Sequence, residues 1–206
     1  MGSEMCIRDR IKISAHLPSR EVLLGAFNED VRALSLRRTL KWLKVAKQLE
    51  AQWAVLHLNF IDSFYHHVED RWLYYFMESM REVLHEKMPV YLENSEEKTP
   101  LIFRKVLEKI DNRVFVCFDI GHAFGYSNVS LLKWVDELSP WIREIHIHET
   151  EKGKDLHKPL GSGFIEIEKI LRYIDELVED YVITLEPVNL KQLENDIKWL
   201  RERGFI

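Results

Sequence analysis

Six short runs of apolar and β-branched residues in this chain each close on a histidine or a carboxylate: His16, His57, Glu93, Asp119, His146 and Glu186. Imidazoles and carboxylates hold divalent ions, and a carboxylate beside a carbonyl is also a base for moving protons at carbon. Three more such residues stand nearby. His122 follows Asp119 within Phe118-Asp119-Ile120-Gly121-His122, where Gly121 permits a tight turn. Asp155 and His157 are two apart, which places both side chains on one face of an extended loop. Together these nine residues can hold two or three divalent ions. The mixed donor set suits zinc, manganese or cobalt better than calcium. Polar residues often end strands, so one such ending carries no weight. Six in succession, drawn from three residue types, are not explained that way.

The elements that must position these residues alternate along the chain. The predicted strands are Ile11–His16, Trp53–His57, Pro89–Glu93, Val114–Asp119, Ile142–His148 and Tyr181–Glu186. Between them apolar residues recur at three- and four-residue steps. Val31 to Leu49, Glu69 to Lys87, Leu101 to Ile110, Leu131 to Leu138, Ile167 to Leu177 and Leu190 to Leu200 read as helices. Thr99-Pro100 is a helix start, Ser139-Pro140 a stop, and Gly204 an end. Glu149 to Gly163 is a long polar loop with Glu149 and Glu151 facing solvent. Six strands alternating with six helices mean βα units and a parallel sheet, so the fold class is α/β. No glycine-rich fingerprint follows the first strand, which leaves a dinucleotide fold unsupported. In a parallel barrel all strand C-termini meet on one face, and the six strand-ending residues would share one basin there. An eight-stranded barrel takes about 250 residues, so this chain is about two βα units short of one.

The chain has 206 residues, of which 46% are hydrophobic, enough for a single sizeable core and too many for a disordered segment. Net charge is −5, which argues against a general nucleic-acid binder, though a local basic patch would suffice for a specific one. No run is long and apolar enough to span a membrane, and Met1 to Arg10 lacks the apolar stretch of a secretory signal. Two cysteines, Cys6 and Cys117, make no disulfide framework and fit a reducing, cytoplasmic setting. Cys117 reads as inert core. The six tryptophans fall mostly at packing positions, and His66, His67 and His85 read as surface residues.

Seven segments carry a resemblance: Ala15-His16-Leu17-Pro18, Val55-Leu56-His57, Tyr91-Leu92-Glu93-Asn94, Phe118 to His122, Ile145-His146-Ile147-His148-Glu149, His157-Lys158-Pro159-Leu160-Gly161-Ser162-Gly163 and Leu185-Glu186-Pro187. In order and spacing they resemble the xylose-isomerase-like TIM-barrel superfamily, which includes sugar isomerases, sugar epimerases and endonuclease IV. The resemblance implies a TIM-type barrel over residues 11–206 that begins at the third strand. Residues 1–10 match no family strand and read as a tag-like or non-native leader. It implies a divalent cofactor (manganese, cobalt, magnesium or zinc, one to three ions per chain).

Two activities share these residues. In the isomerase and epimerase branch, Glu93, Asp119, His146 and Glu186 hold one ion. Glu93 and Glu186 are also the catalytic pair, one taking a proton from the reacting carbon and the other returning it. His122 then binds a substrate hydroxyl of a sugar or sugar phosphate. In the endonuclease IV branch, His16, His57 and Glu93 hold one zinc. Glu93, Asp119, His146 and Glu186 surround a second, and His122, Asp155 and His157 hold a third. Departures weigh against DNA repair: Asn94 is followed by Ser95-Glu96-Glu97-Lys98 where that enzyme has Thr-Ala-Gly-Gln-Gly, and His146 by Ile147-His148-Glu149-Thr150 where it has Leu-Asn-Asp-Ser.

Other residues have weaker claims. His148 shares a strand face with His146 and lines the pocket or fills the core. Lys158, with Lys152 and Lys154, stands where it could attract a substrate phosphate, against the ordinary reading of a solvated loop. A barrel short of two units exposes strand edges near residues 11–16 and 182–186, which would favour a homo-oligomer or an inactive metal-binding scaffold.

Overall fold

A computed structural model describes residues 12–206. The proposed leader, Cys6 and the first residue of the first predicted strand lie outside the described residues. Six strands form one parallel sheet in the order β1 to β6: Ser14–His16, Trp53–His57, Val90–Glu93, Val114–Asp119, Ile142–Ile147 and Val182–Leu185. Each strand pairs with its sequence neighbour, with His57 opposite Glu93 and Asp119 opposite His146. The sheet is strongly curled. Four inter-strand steps separate β1 from β5, about 19 Å in a flat sheet. Yet the rings of His16 and His146 lie 5.9 Å apart. The fold is therefore a curled α/β half-barrel, an incomplete TIM barrel.

Alternation along the strands builds two different faces. Ala54, Leu56, Val90, Leu92, Val116, Phe118, Ile145 and Ile147 are sealed against the helices outside. Trp53, Val55, Tyr91 and Cys117 make a small separate cluster on the other side, below the strand ends. Burial pushes the Cys117 thiol well above its ordinary value, so it stays neutral.

Eight helices accompany the strands among the described residues: α1 Glu29–Gln48, α2 Asp62–Tyr65, α3 Glu69–His85, α4 Leu101–Leu107, α5 Ile120–Tyr126, α6 Leu131–Leu138, α7 Ile167–Leu177 and α8 Leu190–Glu202. Their starts follow local chemistry. The side chains of Asn28, Ser130 and Asn189 accept from backbone N–H groups in the first turns of α1, α6 and α8. In α7 Ile167, Ile170, Leu171 and Ile174 form the buried stripe. The sequence pattern missed α2 and α5. Gly121 and Gly125 make α5 look like a turn, but the Asp119 carboxylate caps it by accepting from His122 N at 2.6 Å. Gly121 serves a different need from the expected turn. A Cβ there would lie 2.3 Å from the His148 ring.

Among the described residues β1 and β6 each pair on one side only. No helix among them is long and apolar enough to cross a membrane.

Candidate active site

The strand ends meet as the alternation requires. A cleft of about 620 Å³ opens above the C-terminal ends of the strands. His16, His57, Glu93, His122, Asp155, His157 and Glu186 line it. Asp119, His146 and His148 lie beneath, almost wholly buried. Seven of the nine expected residues thus line one basin, and Asp119 and His146 lie under it.

Glu93 is the hub. Its Oε2 lies 2.8 Å from His16 Nε2 and 3.1 Å from His57 Nε2. Its Oε1 lies 3.3 Å from His146 Nδ1 and 3.6 Å from His122 Nδ1. Glu186 Oε1 approaches the same His146 Nδ1, at 3.2 Å. Asn94, next to Glu93, locks β3 to β4: its amide donates to Asp119 O and its carbonyl accepts from Asp119 N, both at 2.8 Å. Glu97 is buried too, and accepts from Phe60 N and Ser95 N, tying together the loops that follow β2 and β3.

The second half of the site comes from α5 and the loop after β5. His122 Nε2 lies 3.5 Å from Asp155 Oδ2, and His157 Nε2 lies 3.0 Å from Asp155 Oδ1. Asp155 and His157 do meet, but not across an extended loop. His157 has φ +46°, a left-handed conformation that a non-glycine residue adopts only at a cost. Its carbonyl accepts from Gln192 Nε2 at 2.9 Å, which helps hold that turn. The His157 ring stacks on His148 at 4.1 Å.

Glu149 overturns the expectation of a solvent-facing side chain. It is 1% exposed. Its carboxylate accepts from Ile165 N, and a Cβ on Gly163 would lie 2.1 Å from Glu149 Oε2. The glycines of Pro159-Leu160-Gly161-Ser162-Gly163 therefore have separate tasks. Gly163 leaves room for Glu149, while Gly161 has φ +75° and packs under Trp199. Lys158 is spent on Glu151, and Lys152 donates to Phe124 O, so neither reaches the cleft lining. Arg20 and Tyr126 line the cleft instead, and the sequence pattern did not mark them.

The charges are tightly balanced. Burial pushes the His122 pKa down, but Asp119, Asp155 and Glu93 outweigh it and raise it to about 10. Burial likewise lowers His16 and His146, but Glu93 outweighs it at His16, and Cys117 with Glu144 and Glu186 outweighs it at His146, so both are raised. Burial would raise Glu93, but the His146, His16 and His57 imidazoles hold it well below its ordinary value. His122 and His157 keep Asp155 well below the usual carboxylate range.

These residues fit divalent ions. Glu93 Oε1, Asp119 Oδ2, His146 Nδ1, both ring nitrogens of His148 and Glu186 Oε2 are buried without a hydrogen-bond partner. Such atoms are costly to leave so, unless a cation gathers them. Donor atoms cluster within 4.8 Å as His16, Glu93, His146 and Glu186, and as His122, His148, Asp155 and His157. Asp119 groups with Glu93 and His122, and again with His148 and Glu186. The grouping differs from both expected sets in four respects: His16 joins the group around His146, Asp119 falls outside that group, His148 joins the one around Asp155, and His57 falls in none.

The sequence matches the family described as "Xylose isomerase-like TIM barrel" over residues 3–203, and the chain belongs to that family. An uncharacterized protein of Methanocaldococcus jannaschii, MJ1311, is 24% identical over 212 residues, covering 96% of this chain and 72% of its own. A D-tagatose 3-epimerase-like protein superposes with a TM-score of 0.83 at 23% identity, over 97% of this chain and 79% of that one. The TTHB071 protein from Thermus thermophilus, soaked with ZnCl2, gives 0.78 at 26% identity, over 97% and 81%.

Proposed function

We propose that the chain is a divalent-metal-dependent isomerase or epimerase of sugars or sugar phosphates, working by proton transfer at the carbon next to a carbonyl. One observation carries this reading. The carboxylates of Glu93 and Glu186 converge on His146 Nδ1 at 3.3 and 3.2 Å, and both line the cleft. The cleft volume of about 620 Å³ is in the range of small-molecule sites. The likeness to a D-tagatose 3-epimerase-like protein supports the same class.

Glu93, Asp119, His146 and Glu186 would hold the ion, with His16 beside them. Bound there, a divalent ion polarises the substrate carbonyl and draws negative charge onto its oxygen. Glu93 is kept ionised by its imidazole neighbours, so it carries no proton of its own and is the group that would accept one from carbon. Glu186 comes from β6 on the other side of His146 and returns a proton. His122 is positioned to bind a substrate hydroxyl, with Asp119 fixing its backbone. Arg20 at the cleft wall offers a charge for a phosphate, the part expected of Lys158.

A second reading has its own support. Glu93 faces His16 and His57 with one oxygen and His146 with the other, and His122, His148, Asp155 and His157 form a separate donor group. That arrangement has room for more than one ion, as an endonuclease IV-type phosphodiesterase with a trinuclear zinc site requires.

Elemental mass spectrometry on protein purified without chelators separates the two. About one manganese, cobalt or magnesium per chain is the result expected for the isomerase; about three zincs favours the phosphodiesterase. Keto-sugars and their phosphates are then incubated in D2O. Deuterium should enter at carbon with the wild type. Glu93→Gln and Glu186→Gln should each slow it by about 10²–10⁴-fold. Metal retention without exchange or phosphodiester cleavage would leave the inactive scaffold.

A further inference from the structure

Below His146, away from the cleft, lies a carboxylate that none of the above uses. Glu144 is two residues earlier on β5, so its side chain leaves the strand on the same face. It is 1% exposed and sits on the sheet's inner side. A buried carboxylate is expensive unless its oxygens are satisfied. Here they are. Glu144 Oε2 accepts from Trp53 Nε1 at 2.6 Å, and Oε1 accepts from Thr184 Oγ1 at 2.6 Å. The same Oε1 lies 3.3 Å from His146 Nε2. Residues from β2 and β6 thus clamp a group on β5.

The two nitrogens of His146 face opposite surroundings. Nε2 faces Glu144. Nδ1 faces Glu93 and Glu186 and is among the buried atoms without a hydrogen-bond partner. A neutral imidazole has one N–H and one lone pair. Glu144 is already accepting from two donors and brings no proton of its own, so the proton between it and His146 belongs on Nε2. The lone pair then sits on Nδ1, aimed at the catalytic carboxylates.

We propose that Glu144 is the positioning residue for His146. It fixes the Nε2–H tautomer and the ring plane, so that Nδ1 is the atom offered to a divalent ion, and Trp53 and Thr184 fix Glu144 in turn. This rests on the metal-site reading above. A carboxylate behind a metal-binding imidazole makes the ring a better ligand, and losing such a partner weakens binding about 10–100-fold.

The test uses the metal-free full chain and Co²⁺ as probe, followed by visible absorption, with His146→Gln, Glu144→Gln, Thr184→Val and Cys117→Ser. The result expected is a loss of about 10–100-fold in Co²⁺ affinity for Glu144→Gln, a smaller loss for Thr184→Val, and no change for Cys117→Ser. Long-range ¹H–¹⁵N spectra of the wild type loaded with diamagnetic Zn²⁺ should show His146 with its proton on Nε2, and Glu144→Gln should lose that signature. A role in packing alone would lower the melting temperature without moving either readout. Co²⁺ affinity unchanged in Glu144→Gln, while His146→Gln weakens it, overturns the proposal and spares the metal site. Affinity unchanged in His146→Gln as well overturns the metal site, and this inference with it. An equal loss in Cys117→Ser also overturns it, because Cys117, Glu144 and His146 lie within 4.8 Å of one another and would then be direct ligands. Should Glu144→Gln not fold, Thr184→Val decides, and an unchanged affinity there overturns the proposal.

Discussion

Leu92 and Glu93 are neighbours on β3, exposed to 0% and 1%, and they point to opposite faces of the sheet. The outer face takes Leu92 into a continuous apolar layer with Leu56, Val116 and Ile145. Dispersion and the hydrophobic effect favour every contact there, and no polar atom needs a partner. The inner face takes Glu93 into a ring of imidazoles, with Asp119, His146 and His148 almost equally buried. Several of their atoms have no hydrogen-bond partner at all. Equal burial therefore means opposite things on the two faces. The outer layer stabilises the fold, and the inner layer draws on that stability to keep ionisable groups close together and dry.

Paired substitutions on β3 should split along this line. Glu93→Gln is expected to slow deuterium exchange by about 10²–10⁴-fold per folded molecule. Leu92→Ala should cost about 2–5 kcal/mol of unfolding free energy, read by urea denaturation. Its turnover per folded molecule should stay near that of the wild type. If Leu92→Ala abolished exchange while folded, or Glu93→Gln unfolded the chain, the faces would not be separable.

The same contrast explains what was legible in the sequence. Outer-face residues are read by periodicity, because apolar burial depends on local alternation. The ends of the six strands were legible for the same reason, and their residue types named the chemistry. Which donors meet within the shared basin was not. Nothing local to Glu93 says that His16 and His146, on strands four steps apart, will meet there. Glu144 was missed although the rule that paired His146 with His148 applies equally two residues upstream. Glu149 was read as exposed because it stands in a polar loop. Its burial depends on Gly163 folding back over it, fourteen residues later. The backbone of His157 (φ +46°) is likewise set by contacts to Glu186 and Gln192 from other elements.

The inner face should also respond to pH where the outer does not. His122 is raised to about 10, and His16, His146 and His157 are raised as well. In the metal-free chain a raised histidine contributes stability that is complete below its ordinary value, near 6.5. For His122 that contribution is lost as pH climbs through about 10. Metal binding has the reverse sign, because an imidazole must shed its proton before it can be a ligand. Mn²⁺ affinity should therefore rise between pH 6.5 and 9, by up to about tenfold per unit for each proton displaced. Titrations in two buffers of different ionisation enthalpy would count those protons. A pH-independent affinity with no proton release would mean the imidazoles are not ligands.

Gly163→Ala sharpens the comparison in a loop that belongs to neither face. The added methyl meets the Glu149 carboxylate, 2.1 Å from Oε2, so either the carboxylate or the backbone must give way. Burial already raises the Glu149 pKa, against the backbone N–H groups of Ile165, Gly163 and Gly161. Displacing the carboxylate would forfeit those bonds. The cost should be about 1–3 kcal/mol, the usual range for overpacking a tight interior. The neighbours of Glu149 decide where the effect is felt. Its backbone pairs with Lys158 in both directions, at 3.1 and 2.8 Å, and Lys158 directly follows His157. A shift at Gly163 should therefore pass to Asp155 and His157 before it reaches Glu93. Thermal unfolding should register the loss. In Co²⁺ titrations the donor group around Asp155 should weaken while the group around Glu93 keeps its affinity. Equal weakening of both groups would show that the loop and the strand ends form one rigid site.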